Sequence, residues 1–149
     1  MPKSSAVPKG YHTVTTFLGV QDALGAIDFA RKALDAKLVE KHLMDNGKLM
    51  HGEIVIGDTR LMLVEAMGKK DAMPAMLYMY VPDCDATYKK AVKAGAKSFR
   101  KPEDQFYGDR AAAVRDKSGN LWWFATTLKK PDAGQRKKAV EDYKKQKRK

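Results

Sequence analysis

The amino-acid sequence predicts an α+β fold: paired β-α-β-β-β modules forming a curled mixed sheet around a concave pocket. The order of elements is the first reason, because a strand, a capped helix and three further strands occur twice between residues 11 and 128. An internal repeat is the second: at an offset of 61 residues Val20 aligns with Val81, Asp22 with Asp83, Ala30 with Ala91, Lys32 with Lys93 and Ala33 with Ala94. A chain of 149 residues suits one ordinary domain, or two small halves sharing a core.

Residues 1–10 hold two Pro, two Ser and a Gly without periodicity and read as a loose N-terminal arm. Residues 11–20 alternate and are rich in β-branched and aromatic side chains, the signature of a strand. Asp22 caps a helix whose apolar positions Leu24, Ile27, Ala30 and Leu34 follow helical spacing. Residues 38–44, 50–56 and 59–65 are three more strands, joined by the turn residues Asp45, Asn46 and Gly47 and then by Gly57 and Asp58. A polar connector, residues 66–74, leads to a second strand at 75–81 and a helix from Asp83 through Ala94 that Gly95 stops. Short strands follow at 97–101, 111–116 and 121–127, the last hairpin turning on Lys117, Ser118 and Gly119. The folded domain is therefore expected over residues 11–128, with modules 11–65 and 75–128, and residues 129–149 form a basic C-terminal tail. A helix in that tail has only Ala139, Val140 and Tyr143 for an apolar face, which points to a solvated or frayed segment.

The net charge of +11 suggests nucleic acid until its distribution is considered. Residues 128–149 carry +7 and residues 1–10 carry +2, which leaves only +2 on residues 11–127. Basic ends on a nearly neutral body read as solubilising or weakly anion-seeking, so nucleic acid is not the expected partner. The apolar runs at 61–64 and 121–127 are strand-sized, and residues 1–10 lack the apolar stretch of a signal peptide, so neither a membrane nor secretion is expected. The single Cys84 permits no internal disulfide and fits a cytoplasmic setting.

Strand alternation sorts the side chains. Leu61 and Leu63 read as the helix side of their strand, so Arg60, Met62 and Val64 face the concavity. Ile54 and Ile56 belong beneath a helix, which puts His51 and Glu53 in the bowl. An apolar lining with a few polar groups is the usual composition of a small-molecule site.

Several stretches resemble the vicinal-oxygen-chelate superfamily of glyoxalases, bleomycin-resistance proteins and dioxygenases, and within it the PhnB-like branch. They are Gly10-Tyr11-His12-Thr13-Val14-Thr15, Ala26-Ile27-Asp28-Phe29, Met50-His51-Gly52-Glu53-Ile54 and Ile56-Gly57-Asp58. The most specific are Pro102-Glu103-Asp104-Gln105-Phe106-Tyr107-Gly108-Asp109-Arg110 and Arg115-Asp116-Lys117-Ser118-Gly119-Asn120-Leu121-Trp122. The resemblance implies a homodimer, often with modules exchanged between chains. It also implies a metal held by the first and fourth strands of each module, places that fall here on Thr15, Met62, Met76 and Trp123. None of these is a usual ligand for zinc, nickel, manganese or iron, and a slip of one residue supplies only Val14 or Thr16, Leu61 or Leu63, Ala75 or Leu77, and Trp122 or Phe124. The expectation is therefore no metal and no cofactor at that place.

His12, His42 and His51 are the only histidines, and His12 has the parity that points away from the bowl. His51 and Glu53 share one strand face and suit an acid–base pair if the protein is an enzyme, or a plain half-buried strand pair if it is not. Thr15, Phe17, Met62, Met76, Tyr78, Tyr80 and Trp123 line the same concavity, either as adaptable contacts for a planar ligand or as core filling the bowl. Tyr107, Asp109 and Arg110 flank Gly108 in an expected loop, where Arg110 either forks onto an anionic group of a ligand or stabilises the loop or partner subunit. The leading functional expectation is a dimer that encloses a small apolar or aromatic molecule without the usual divalent metal. The alternative is a lyase or isomerase of the glyoxalase class using a relocated metal or the His51 and Glu53 pair. The third is weak nucleic-acid or anion binding through the basic tail.

Overall fold

A computed structural model of the chain describes residues 6–148. Residues 1–5 of the expected arm and Lys149 of the expected tail lie outside the described residues. The chain divides into two compact units, residues 1–75 with 116–120, and residues 76–115 with 121–149.

In the first unit β1 (Thr16–Val20), α1 (Ala23–Ala33), β2 (Lys37–Leu43), β3 (Leu49–Ile56) and β4 (Thr59–Glu65) form a four-stranded mixed sheet in the order β1-β4-β3-β2. In the second, β5 (Met76–Tyr80), α2 (Cys84–Lys93), β6 (Lys97–Asp104), β7 (Asp109–Arg115) and β8 (Leu121–Thr127) repeat that arrangement in the order β5-β8-β7-β6, followed by α3 (Ala133–Lys147). The outer strand of each sheet that starts the module runs parallel to the strand that ends it. The sequence repeat is also a repeat of register: Leu18 pairs with Leu63 and, 61 residues on, Met79 pairs with Phe124.

The helix caps repeat as well. Asp22 accepts from the Gly25 amide and Asp83 from the Ala86 amide, each satisfying a donor that the first helical turn leaves free. The last strand of each module adds a second acceptor at equivalent positions: the Glu65 carboxylate takes the amides of Asp22 and Ala23, and the Thr126 hydroxyl takes that of Cys84.

Each sheet buries one face beneath its own helix. In the first unit Leu18, Val20, Ile54, Leu61 and Leu63 form this core with Ile27 and Ala30 of α1. A Cβ at Gly52 would come 3.0 Å from the Ile27 methyl, so this glycine lets the helix lie close to β3. In the second unit Ala112, Val114, Trp122 and Phe124 are buried with Cys84 and Ala91 of α2. The opposite, open face of each sheet carries the residues of functional interest.

Four expectations change in the structure. The first strand begins at Thr16, not at residue 11, because its partner β4 pairs with it only from Leu61 onward, and residues 11–15 run outside the sheet. β6 extends to Asp104 through Pro102, which an edge strand with an irregular register tolerates. Asp109 and Arg110 belong to β7, not to a loop, since Arg110 pairs with Thr126 and Asp109 with Thr127. Residues 133–147 form a helix that stays solvated, with no buried residue, but is not frayed at its start: Asp132 and Gln135 make a capping box, and Tyr143 stacks on Phe106 with ring centroids 4.6 Å apart. Among the described residues no helix is long and apolar enough to cross a membrane.

Candidate functional site

The open face of the second sheet is an aromatic surface. Tyr78 and Trp123 are register partners on β5 and β8, and their rings stack at 6.3 Å with an interplanar angle of 22°. Tyr80 meets Tyr78 edge-on at 5.5 Å, Phe99 meets Trp123 at 6.4 Å, and the Arg100 guanidinium lies 6.0 Å from the Trp123 ring centre. Met76 and Tyr80 remain 72% and 69% exposed, so this surface is presented to solvent instead of being filled as core.

One polar anchor sits beneath it. The Tyr78 hydroxyl donates to the buried Asp109 carboxylate at 2.8 Å, and the Tyr107 hydroxyl lies 3.4 Å from that of Tyr78. Burial, with Tyr107 and Asp109 alongside, pushes the Tyr78 hydroxyl far above its ordinary ionisation range. Tyr80, Tyr107 and Asp109 also border a cavity of about 390 Å³ whose other side is made by Lys129, Lys130 and Arg136.

Arg110 is elsewhere. Its guanidinium is on the helix side of β7, donating to Asp85 of α2 at 2.9 and 3.3 Å and to Asp104 at 2.8 Å. These two carboxylates hold it charged and occupy the fork that a ligand would need. Cys84 faces inward too: its thiol donates to the Phe124 carbonyl, and burial, then the Asp85 charge, pushes it up to about 11.

The open face of the first sheet is more polar. Phe17 of β1 pairs with Met62 of β4, and its ring is 5.8 Å from that of His51 on β3. Thr15 stands just before β1 and is half-buried. His51 and Glu53 lie on the same face, with Nε2 of His51 3.7 Å from the Glu53 carboxylate. Tyr11 donates its hydroxyl to Glu53, while the Arg60 guanidinium packs over the Tyr11 ring at 5.0 Å. Gly10 makes room for this arrangement: its φ is +87°, and a Cβ there would meet Arg60 Nε at 2.7 Å.

Sequence reasoning missed Tyr11 and Glu40. Glu40, on β2, is the register partner of Glu53, and its carboxylate accepts from His42 at 2.6 Å. That contact, then hydrogen bonding with Glu53, holds the Glu40 carboxyl below the usual range. A register shift between Leu38 and Glu40 sets the pairing, and no signal in the sequence marks it.

The four positions to which the resemblance assigns metal ligands present a threonine hydroxyl, two thioethers and an indole. Thr15 and Met62 belong to the first unit, and Met76 and Trp123 to the second. This donor set does not fit the divalent ions of that chemistry.

Comparison with known proteins agrees with the architecture. Residues 11–124 match the model of the Glyoxalase/Bleomycin resistance protein/Dioxygenase superfamily. An uncharacterized protein of Mycobacterium bovis is 35% identical over 116 residues, 70% of this chain and 76% of that protein. The crystal structure of TioX from Micromonospora sp. ML1 has a TM-score of 0.67 at 21% identity, covering 79% of this chain and all (100%) of that one. TnmS3, an antibiotic binding protein from Streptomyces sp. CB03234, has a TM-score of 0.63 at 20% identity, covering 83% of this chain and 99% of that one. The chain belongs to the glyoxalase, bleomycin-resistance and dioxygenase superfamily.

Proposed function

We propose that the protein binds a small apolar or aromatic molecule on the open face of its second sheet and holds it without the family's usual divalent metal. The observation that carries this reading is the solvent-facing stack of Tyr78 and Trp123, flanked by exposed Met76 and Tyr80 and anchored by Asp109. Rigid aromatic side chains provide large contact areas at little cost in conformational entropy. Tyr107 borders the same cavity as Tyr80. On the first unit, taken by itself, Thr15, Phe17, Arg60 and Met62 offer a separate ligand-contact surface. Arg110, tied to Asp85 and Asp104, supports the fold of β7. The antibiotic-binding relative of the same fold is compatible with such a role.

A homodimer in the cytoplasm, and a place in the PhnB-like branch, complete the proposal. The dimer is supported by the exposed apolar side chains of this face, Met76, Tyr78 and Tyr80, which a second copy could cover. The branch is supported by the quoted stretch around Gly108. Light scattering at tens of micromolar should return twice the chain mass, and a monomer would contradict the dimer.

The test of binding is a fluorescence titration with bleomycin-type and other planar aromatic compounds. Trp122 is buried, so quenching reports mainly on Trp123. Saturable quenching that disappears in Trp123→Phe supports the reading, and no response at high micromolar concentration counts against it. The second reading, a glyoxalase-class lyase or isomerase, draws on His51 and Glu53 standing 3.7 Å apart. Turnover of an aldehyde–thiol adduct that Glu53→Gln abolishes would favour it.

A further inference from the structure

The repeat supplies a control for the polar cluster of the first sheet. Ile54 of β3 pairs with Leu61, and Val114 of β7 pairs with Trp122, the residue 61 positions after Leu61. Counting back from that pair, His51 and Glu53 correspond to Ala111 and Ala113. Glu40, paired with Glu53, corresponds to Arg100, paired with Ala113, and each follows the same kind of register shift. The fold therefore builds this part of the sheet with two alanines and a cation in one module, and with two carboxylates and an imidazole in the other. Packing does not demand the cluster.

Its two carboxylates are met by imidazoles and a tyrosine hydroxyl. Glu40 and Glu53 stand opposite each other on neighbouring strands, an arrangement of like charges that is unfavourable by itself. Among the described residues no Lys or Arg forms an ion pair with either, and Arg60 is engaged by Tyr11. One ligand atom from each of Glu40, His51 and Glu53 falls within 4.8 Å of the others. Metal–ligand bonds of ~2.0–2.2 Å place such atoms roughly 3–4 Å apart, a closure that the long, exposed Glu40 side chain can make. Tyr11 donates to Glu53 and His42 to Glu40, and a cation drawing in both carboxylates would take the place of the contact between Glu40 and Glu53.

We infer that Glu40, His51 and Glu53 form a divalent-cation site on the open face of the first sheet, on strands β2 and β3. Two carboxylates and one imidazole favour a hard or borderline ion such as Mn²⁺ or Zn²⁺ over soft copper(I). Three protein ligands leave coordination positions for water or for an oxygen of a bound molecule. The inference does not rest on the aromatic face of the second sheet, because none of Glu40, His51 and Glu53 belongs to the Tyr78 and Trp123 stack.

The test is titration of untagged protein with MnCl₂, followed by the loss of the free-ion EPR signal, and with ZnCl₂ by calorimetry. One ion per chain is expected. Paired substitution to the second module's own residues, His51→Ala with Glu53→Ala, should weaken binding by more than the ~10–100-fold that outer-shell changes produce, and Glu40→Gln alone by roughly tenfold or more. His12→Ala should change nothing. Circular dichroism checks folding, and because Glu40 is exposed its substitution reads the site without disturbing the core. No saturable uptake of either ion by the wild-type chain up to millimolar concentration overturns the inference. So does an affinity that survives both the double substitution and Glu40→Gln.

Discussion

The hydroxyl of Tyr78 is fixed by the buried carboxylate of Asp109, 2.8 Å away, so the ring that stacks on Trp123 is held by a hydrogen bond as well as by packing. This links β5 to the first residue of β7 and sets the ring's orientation toward solvent. A site residue held this way is preorganised, which lowers the entropy lost when a ligand docks on it.

Tyr78→Phe keeps the ring and removes the bond. Asp109 then loses a donor in a buried setting, which costs about 1–3 kcal/mol. Urea unfolding of the variant should show that loss, with the stacking surface and most of the ligand affinity retained. Unchanged stability would mean that Asp109 is satisfied without Tyr78.

Burial of the Tyr78 hydroxyl, with Tyr107 and Asp109 beside it, has a pH signature. The folded chain holds the Tyr78 proton more tightly than the unfolded chain, in which the hydroxyl has its ordinary value of 10.0. The folded state therefore binds more protons above that pH, and the stability contributed is complete below pH 10.0 and is lost as pH rises past it. Absorbance at the tyrosinate band should show a late-ionising fraction of the six tyrosines, to which Tyr11 beside Glu53 also contributes, and this fraction should shrink in Tyr78→Phe.

Arg110→Ala should separate support from binding. Its side chain is 35% exposed and its partners Asp85 and Asp104 more so, which keeps the stability loss small. Ligand affinity measured by fluorescence should stay at the wild-type value. A tenfold loss of affinity without a change in fold would return Arg110 to the site.

Cys84 should be inert in the native state. Its thiol is buried against the Phe124 carbonyl and pushed up to about 11, so little thiolate exists at neutral pH. A disulfide reagent should label it in denaturant and leave it unmodified in buffer.

Most of the architecture is legible in the sequence because local signals and the repeat agree. Asp22 and Asp83 mark both helix starts, and alternation in β4 separates Leu61 and Leu63 from Arg60 and Met62. The polar cluster is less legible. Glu40 reaches Glu53 only through a register shift in an edge strand, and Tyr11 reaches it from a segment that reads as strand but runs outside the sheet. Both contacts depend on where the backbone departs from regular pairing, which side-chain pattern does not encode. Arg110 reads as loop because Tyr107 and Gly108 end the local β signal two residues before pairing with Thr126 restores it.

The most direct test of the central claim is a crystal structure of the chain with the aromatic compound that quenches Trp123 most strongly. Its ring system should be stacked against Trp123 and Tyr78, within reach of Tyr80 and Met76. Well-ordered compound bound only away from these residues, with the Tyr78 and Trp123 face still open to solvent, would contradict the claim.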